Sequence, residues 1–128
     1  MSHKPVHAAN LPKPVGPYSP GMGFERLVFV SGQAAIDPAT GVLAGDDVER
    51  QTEQCLKNVQ AILEAAGSSL QHVLRCGCFL IDMREFKKMN GVYQRMFGDH
   101  RPARTTVQVA GLPGDGLLVE IDAIAYVP

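Results

Sequence analysis

The stretch "LLVEIDAIAYV", residues 117–127, decides how the fold is read. Its residues alternate in the two-residue period of a strand. Leu117, Val119, Ile121 and Ala123 fall on one face, and Leu118, Ile124 and Tyr126 fall on the other. Glu120 and Asp122 share that second face, because side chains two apart in a strand point the same way. A strand apolar on both faces needs cover on both. The architecture therefore depends on what the rest of the chain offers as cover.

Upstream, "RPARTTVQVAGLP", residues 101–113, has the same period. Thr105, Val107 and Val109 lie on one side, and Arg104, Thr106, Gln108 and Ala110 on the other. This predicts a strand over 104–110. "GLPGDG" reads as a hairpin loop joining it to the last strand, since glycine and proline supply turn dihedrals. "RLVFVSGQ", residues 26–33, and "HVLRCGCFLID", residues 72–82, are further strands. Between them the period lengthens to three and four. Val48, Cys55, Leu56, Val59, Ile62, Leu63 and Ala66 form the stripe of an amphipathic helix over 46–66. Asp46 or Asp47 caps its start, and Gly67 ends it in the left-handed conformation. A second helix spans 84–97, with Phe86, Met89, Tyr93, Met96 and Phe97 on one side. The first 20 residues hold five prolines and read as extended chain with turns. No repeat or linker interrupts the pattern, so residues 1–128 form one domain. The fold is α+β, a mixed sheet with two helices packed on one face. Its second face predicts a homo-oligomer that packs the uncovered sheets together.

Composition excludes several classes. The chain is 45% hydrophobic and 20% charged, with a net charge of −1. That balance gives no electrostatic footprint for nucleic acid or an anionic membrane. No apolar run approaches the roughly 18 residues of a membrane span. The N-terminus lacks the apolar core of a secretory signal. Three cysteines, Cys55, Cys76 and Cys78, fit a reducing cytoplasm better than a disulfide framework. The expected location is cytoplasmic.

Familiar catalytic and metal signatures do not form. Cys76 and Cys78 lie one residue apart in a strand and read as buried packing. His3, His7, His72 and His100 are scattered, with no metal-ligand spacing. "GMGFER" lacks the third glycine of a dinucleotide loop, and Ser31 in "VSGQ" has no evident histidine partner. The remaining polar residues sit at strand ends and turns. Arg104, following the rigid Pro102, is either a surface ion pair or a bidentate clamp for a carboxylate. Glu120, flanked by apolar residues, is either exposed on an outer face or positioned for proton transfer. Tyr18, held in "GPYSP", either walls a pocket or simply packs. Asn90, inside the second helix, is compatible with plain solvation.

Six stretches, "GPYSP", "VFVSGQ", "QCLKNVQAILEAAG", "MNGVYQRMF", "RPARTTVQVAGLP" and "VEIDAIA", together resemble the Rid family. These are the reactive intermediate deaminases, also called YjgF-like proteins, and the likeness is greatest to the archetypal members. The stretches occur in the family's order and span nearly the whole chain. The resemblance implies a chorismate-mutase-like α+β domain, a homotrimer with a central barrel, and active sites between subunits. It implies hydrolysis of 2-imino acids, formed from 2-enamino acids such as 2-aminoacrylate, to 2-keto acids and ammonia. No metal or organic cofactor is implied. The expected partners are a small 2-imino or 2-keto acid and further copies of the chain, without nucleic acid or membrane.

Under this resemblance Arg104 binds the substrate carboxylate and Glu120 positions the attacking water. Tyr18, Ser31, Gly32 and Asn90 match pocket positions. Thr106 stands where many members have cysteine, a departure that bears on substrate range and thiol-based regulation. Whether Glu120 or Asp122 faces the substrate depends on hairpin register, and the family alignment favours Glu120. Two alternatives stand beside the deaminase. One is an endoribonuclease, disfavoured by the net charge and by the lack of a histidine pair. The other is a non-catalytic regulatory protein that binds small acids, for which Arg104 suffices without Glu120.

Overall fold

The last strand is central in the sheet, as its two apolar faces require. In the computed structural model, which describes residues 2–128, the strands are β1 (His3–Pro5), β2 (Gly21–Phe24), β3 (Leu27–Gln33), β4 (Val73–Leu80), β5 (Ala103–Gln108) and β6 (Val119–Tyr126). The helices are α1 (Val48–Ala65) and α2 (Phe86–Phe97). All strands join one sheet in the order β1-β2-β3-β6-β4-β5. β6 is antiparallel to both β3 and β4, and β4 pairs parallel with β5.

The expected hairpin between β5 and β6 does not form. β4 lies between them, opposite Arg104 through Cys76 and opposite Glu120 through Phe79. The β4–α2–β5 segment is a parallel crossover, which a helix-length connection permits and a tight turn does not. Residues 109–118 then carry the chain around the end of β4. Val109 N–H donates to the Leu80 carbonyl at 2.8 Å, and Ile81 N–H donates to the Leu118 carbonyl at 3.1 Å. The glycines and prolines of "GLPGDG" thus serve a crossing loop. β1 and β2 add two short strands to the proline-rich start, with Pro5 on the sheet edge where its missing N–H is tolerated.

α1 forms where the stripe places it. The Asp47 carboxylate accepts from Arg50 N–H at 2.8 Å, so Asp47 is the cap. Gly67, at φ +85°, turns the chain out of the helix, and Ser68 N–H donates to the Leu63 carbonyl at 2.8 Å. Leu56, Val59, Ile62 and Leu63 are fully buried against the sheet. Each such side chain contributes about 1.5–3 kcal/mol relative to exposure. α2 packs beside α1 on the same face, with Met89 and Phe97 in the core.

Directly paired residues share a face. Val119, Ile121, Ala123 and Ala125 of β6 face the helices and are buried. Glu120, Asp122, Ile124 and Tyr126 face the other way and are half-buried. Around them that second face shows Leu27, Phe29 and Val107 to solvent, Phe29 at 43% exposure. The two helices leave this face uncovered. No helix among the described residues is long and apolar enough to cross a membrane.

Candidate active site

Glu120 stands on the uncovered face, over a glycine that makes room for it. A Cβ added at Gly32 would lie 2.8 Å from Glu120 Oε2. Asp122, two residues on, is held differently. Its Oδ1 accepts from Gly77 N–H at 2.7 Å, and a Cβ at Gly77 would collide with it at 2.5 Å. Asp122 is thus fastened to the sheet, while Glu120 lines a cleft of about 760 Å³ with Tyr18, Gly32, Ile36 and Leu117. Burial, and then the neighbouring Asp122 charge, push the Glu120 carboxyl up from the usual range. Register is therefore set by β3 and β4, and it gives the cleft to Glu120.

The cleft walls are tied down from two sides. Ser31 Oγ donates to the Ser19 carbonyl at 2.7 Å, and Ser31 N–H donates to the Pro20 carbonyl at 2.9 Å. Ser31 is therefore a fastener for the "GPYSP" loop. Tyr18 Oη accepts from Val15 N–H at 3.2 Å, and its ring stands 45% exposed at the cleft. From the other side, two buried amides of α1 hold the rims. Gln51 Nε2 donates to the Gly45 and Gly116 carbonyls at 2.9 Å, and its Oε1 accepts from Leu118 N–H at 2.8 Å. Asn58 Nδ2 donates to the Ala34 and Ile36 carbonyls at 3.1 and 2.9 Å. Satisfied buried amides of this kind fix one arrangement, because breaking any bond strands a polar group.

Arg104 lies elsewhere. It pairs across from Cys76, and Thr106 from Cys78, so both point to the helix-covered face. The Arg104 guanidinium sits 4.8 Å from the Tyr93 ring centre and 5.5 Å from that of Phe86. No carboxylate of the described residues pairs with it. On the same two elements, α2 and β5, Asn90 Oδ1, Tyr93 Oη and Thr106 Oγ1 are buried with no hydrogen bond within normal geometry. A folded protein rarely leaves such atoms unpaired, and three of them on α2 and β5 make this surface a candidate binding site. Burial pushes the Cys76 and Cys78 thiols up, to about 11 and about 12, so neither is a ready thiolate nucleophile.

The structure thus gathers the sequence candidates into two groups. Tyr18, Gly32 and Glu120 share one cleft, with Ser31 behind it. Asn90, Arg104 and Thr106 share another surface, on the opposite face of the sheet. One chain does not bring Arg104 and Glu120 together. Reasoning from sequence missed Phe86 and Tyr93 as neighbours of Arg104, having placed them only on one side of the second helix. It also missed Gln51 and Asn58, whose phase in the α1 stripe was the available signal.

Comparison with known proteins bears on both groups. The family model described as endoribonuclease L-PSP matches residues 8–127. The chain belongs to this family. A RutC family protein of Pyrococcus horikoshii is 48% identical over 121 residues, covering 94% of this chain and 95% of that one. Among solved structures, a Yersinia pestis protein of the conserved Rid family, titled as of unknown function, superposes with a TM-score of 0.93 at 38% identity, over 98% of this chain and all of the other. Escherichia coli TdcF, solved with bound serine, superposes with a TM-score of 0.90 at 37% identity, over 96% of this chain and 98% of the other. These likenesses establish a Rid/YjgF-type α+β domain and cover both residue groups.

Proposed function

We propose that this Rid family chain hydrolyses small 2-imino acids, such as 2-iminopropanoate derived from 2-aminoacrylate, to 2-keto acids and ammonia, at sites shared between subunits of a homotrimer. The observation that carries this reading is the division of the polar groups. A guanidinium with free N–H donors lies on one face and a carboxyl with a raised pKa on the other. The uncovered apolar face supplies the surface on which copies associate, and at its rim the β5 sheet edge, which carries Arg104, comes against the Glu120 cleft of the neighbour. Serine bound to a relative of similar structure is a small 2-amino acid and fits a carboxylate-binding pocket.

The chemistry needs few groups because an imine carbon is already electrophilic. Arg104 holds the substrate carboxylate bidentately. Glu120 accepts a proton from the attacking water as the C–O bond forms. It returns that proton to the nitrogen, giving a carbinolamine; the carboxylate then takes the hydroxyl proton and passes it to the amino group, so the C–N bond breaks, ammonia leaves and the keto C=O forms. A raised carboxyl pKa suits this two-way duty, since the group gives the proton back readily. Holding carboxylate and water in place can supply about 7–11 kcal/mol of the barrier reduction. Asn90 and Thr106 complete the pocket wall beside Arg104.

The test is ammonia release from freshly generated 2-aminoacrylate, with RNA as the comparison substrate. Ammonia is expected and RNA cleavage is not, given the net charge of −1. Arg104→Lys is expected to lose most of kcat/KM and to weaken pyruvate binding. Lysine keeps the charge but loses the fork, and a hydrogen bond to a charged group is worth about 1.5–3 kcal/mol. Pyruvate affinity unchanged in Arg104→Lys would refute the clamp.

A further inference from the structure

The structure assigns Phe86 and Tyr93 as positioning residues that hold the Arg104 guanidinium by their ring faces, an inference that rests on Arg104 being the carboxylate clamp. Both ring centres lie within the roughly 6 Å at which a guanidinium is attracted to an aromatic face. The rings come from α2 positions seven residues, two helical turns, apart. Asn90 falls between them on the same stripe. Tyr93 is itself immobilised. It is 7% exposed and packs on the fully buried Phe97 ring at 4.6 Å between centres. A rigid line therefore runs from the core through Phe97 and Tyr93 to the guanidinium.

The reason for such a device lies in the job of the clamp. Most partly buried arginines are oriented by a carboxylate. A carboxylate here would occupy the N–H fork and compete with the substrate. Ring faces attract the charge and leave all five N–H donors free for a ligand. They also remove rotamer freedom before binding, so less is lost when the substrate arrives. The Tyr93 hydroxyl makes no hydrogen bond to Arg104. The ring, and not the hydroxyl, does the holding.

The test uses ¹⁵N-labelled full-length protein. The Arg104 Nε–Hε resonance is identified by its loss in Arg104→Lys. Its proton shift and heteronuclear NOE are followed in the wild type, Tyr93→Phe, Tyr93→Leu and Phe86→Leu. Pyruvate titration and ammonia-release kinetics accompany each. In the wild type the Hε proton is expected to be displaced by ring currents and ordered before any ligand is added. Tyr93→Phe keeps the shift and the order of the Hε proton. Tyr93→Leu and Phe86→Leu lose the shift, and each raises the pyruvate Kd and KM about fivefold or more with a smaller change in kcat. Phe86, half-buried at the start of α2 and outside the fully buried core, provides the measurement if Tyr93→Leu fails to fold. A random-coil, mobile Hε in the wild type, or leucine variants with wild-type pyruvate affinity, overturns the inference while ammonia release stands. An ordered Hε that pyruvate does not move, with no ammonia released, overturns the deaminase reading and the positioning role with it.

Discussion

Gly32→Ala places a methyl carbon where the Glu120 carboxyl group lies. The new Cβ would stand 2.8 Å from Oε2, 2.9 Å from Cδ and 3.2 Å from Cγ of Glu120. Non-bonded carbons settle at about 3.5–4.0 Å, so the carboxyl group must withdraw by roughly 0.6–1 Å. It has somewhere to go, because Glu120 borders the cleft and the core need not open. The stability cost therefore falls at the low end of the ~1–3 kcal/mol seen on overpacking. With an unfolding entropy of about 2.1 cal/mol/K per residue, 1 kcal/mol lowers Tm by about 4 °C for a chain of this length. Catalysis suffers more, since a misplacement of about 1 Å costs on the order of 10²-fold. The measurements are ammonia-release kcat and thermal unfolding by circular dichroism. Gly111→Ala is the control, because nothing lies within 4 Å of its Cβ position. A folded Gly32→Ala protein that turns over at the wild-type rate would show that catalysis does not depend on where Glu120 sits.

Glu120→Gln is expected to lower kcat about 10²-fold or more while leaving pyruvate binding intact. Its effect on stability has the opposite sign. The folded pKa of Glu120 is raised above its unfolded value, so its favourable contribution is complete below that value, about 4.3, and is lost as pH rises through the folded pKa. Glutamine stays neutral, so Tm of Glu120→Gln should exceed that of the wild type near pH 7 and converge with it near pH 4; a constant difference across that range counts against the burial account. Thr106→Cys should keep activity within about tenfold, or ~1.4 kcal/mol on the barrier, because the Thr106 hydroxyl makes no hydrogen bond to lose. Inactivation by Thr106→Ala would instead reveal an essential hydroxyl. Light scattering at micromolar concentration should give about three times the 13.8 kDa chain mass, and a monomer of full activity would remove the shared site.

Local chemistry was legible in the sequence, and neighbours were not. The alternation over 117–127 gave β6 its buried and half-buried faces residue by residue, because a period of two is a local property. The α1 stripe, its Asp47 cap and its Gly67 exit were readable for the same reason. "GLPGDG" was misread because turn residues report a change of direction without naming the strand on the far side. β1 escaped because Pro5 masks a short edge strand, and β2 because Gly21 and Gly23 read as turn residues. Arg104, Glu120, Tyr18 and Asn90 stood out in their local sequence, and the family resemblance gave them roles and added Ser31, Gly32 and Thr106; parity along β5 and β6 is visible in the sequence, but which parity faces the helices is decided by pairing with β4. Phe86 and Tyr93 show the deeper limit. An aromatic stripe at helical spacing looks the same whether it packs on leucine or on a guanidinium.

Under the proposed shared site, Arg104 and Glu120 on opposite faces of one sheet divide the labour between copies. Any reaction that needs both groups within reach of one small molecule is closed to a solitary chain. Catalysis then acquires a concentration scale, and specific activity falls on dilution past the dissociation constant of the assembly. The same arrangement makes lesions complementary. Chains disabled at Arg104 and chains disabled at Glu120, co-assembled at random, are expected to rebuild some intact junctions from their undamaged faces, so that a mixture of two dead proteins turns over substrate.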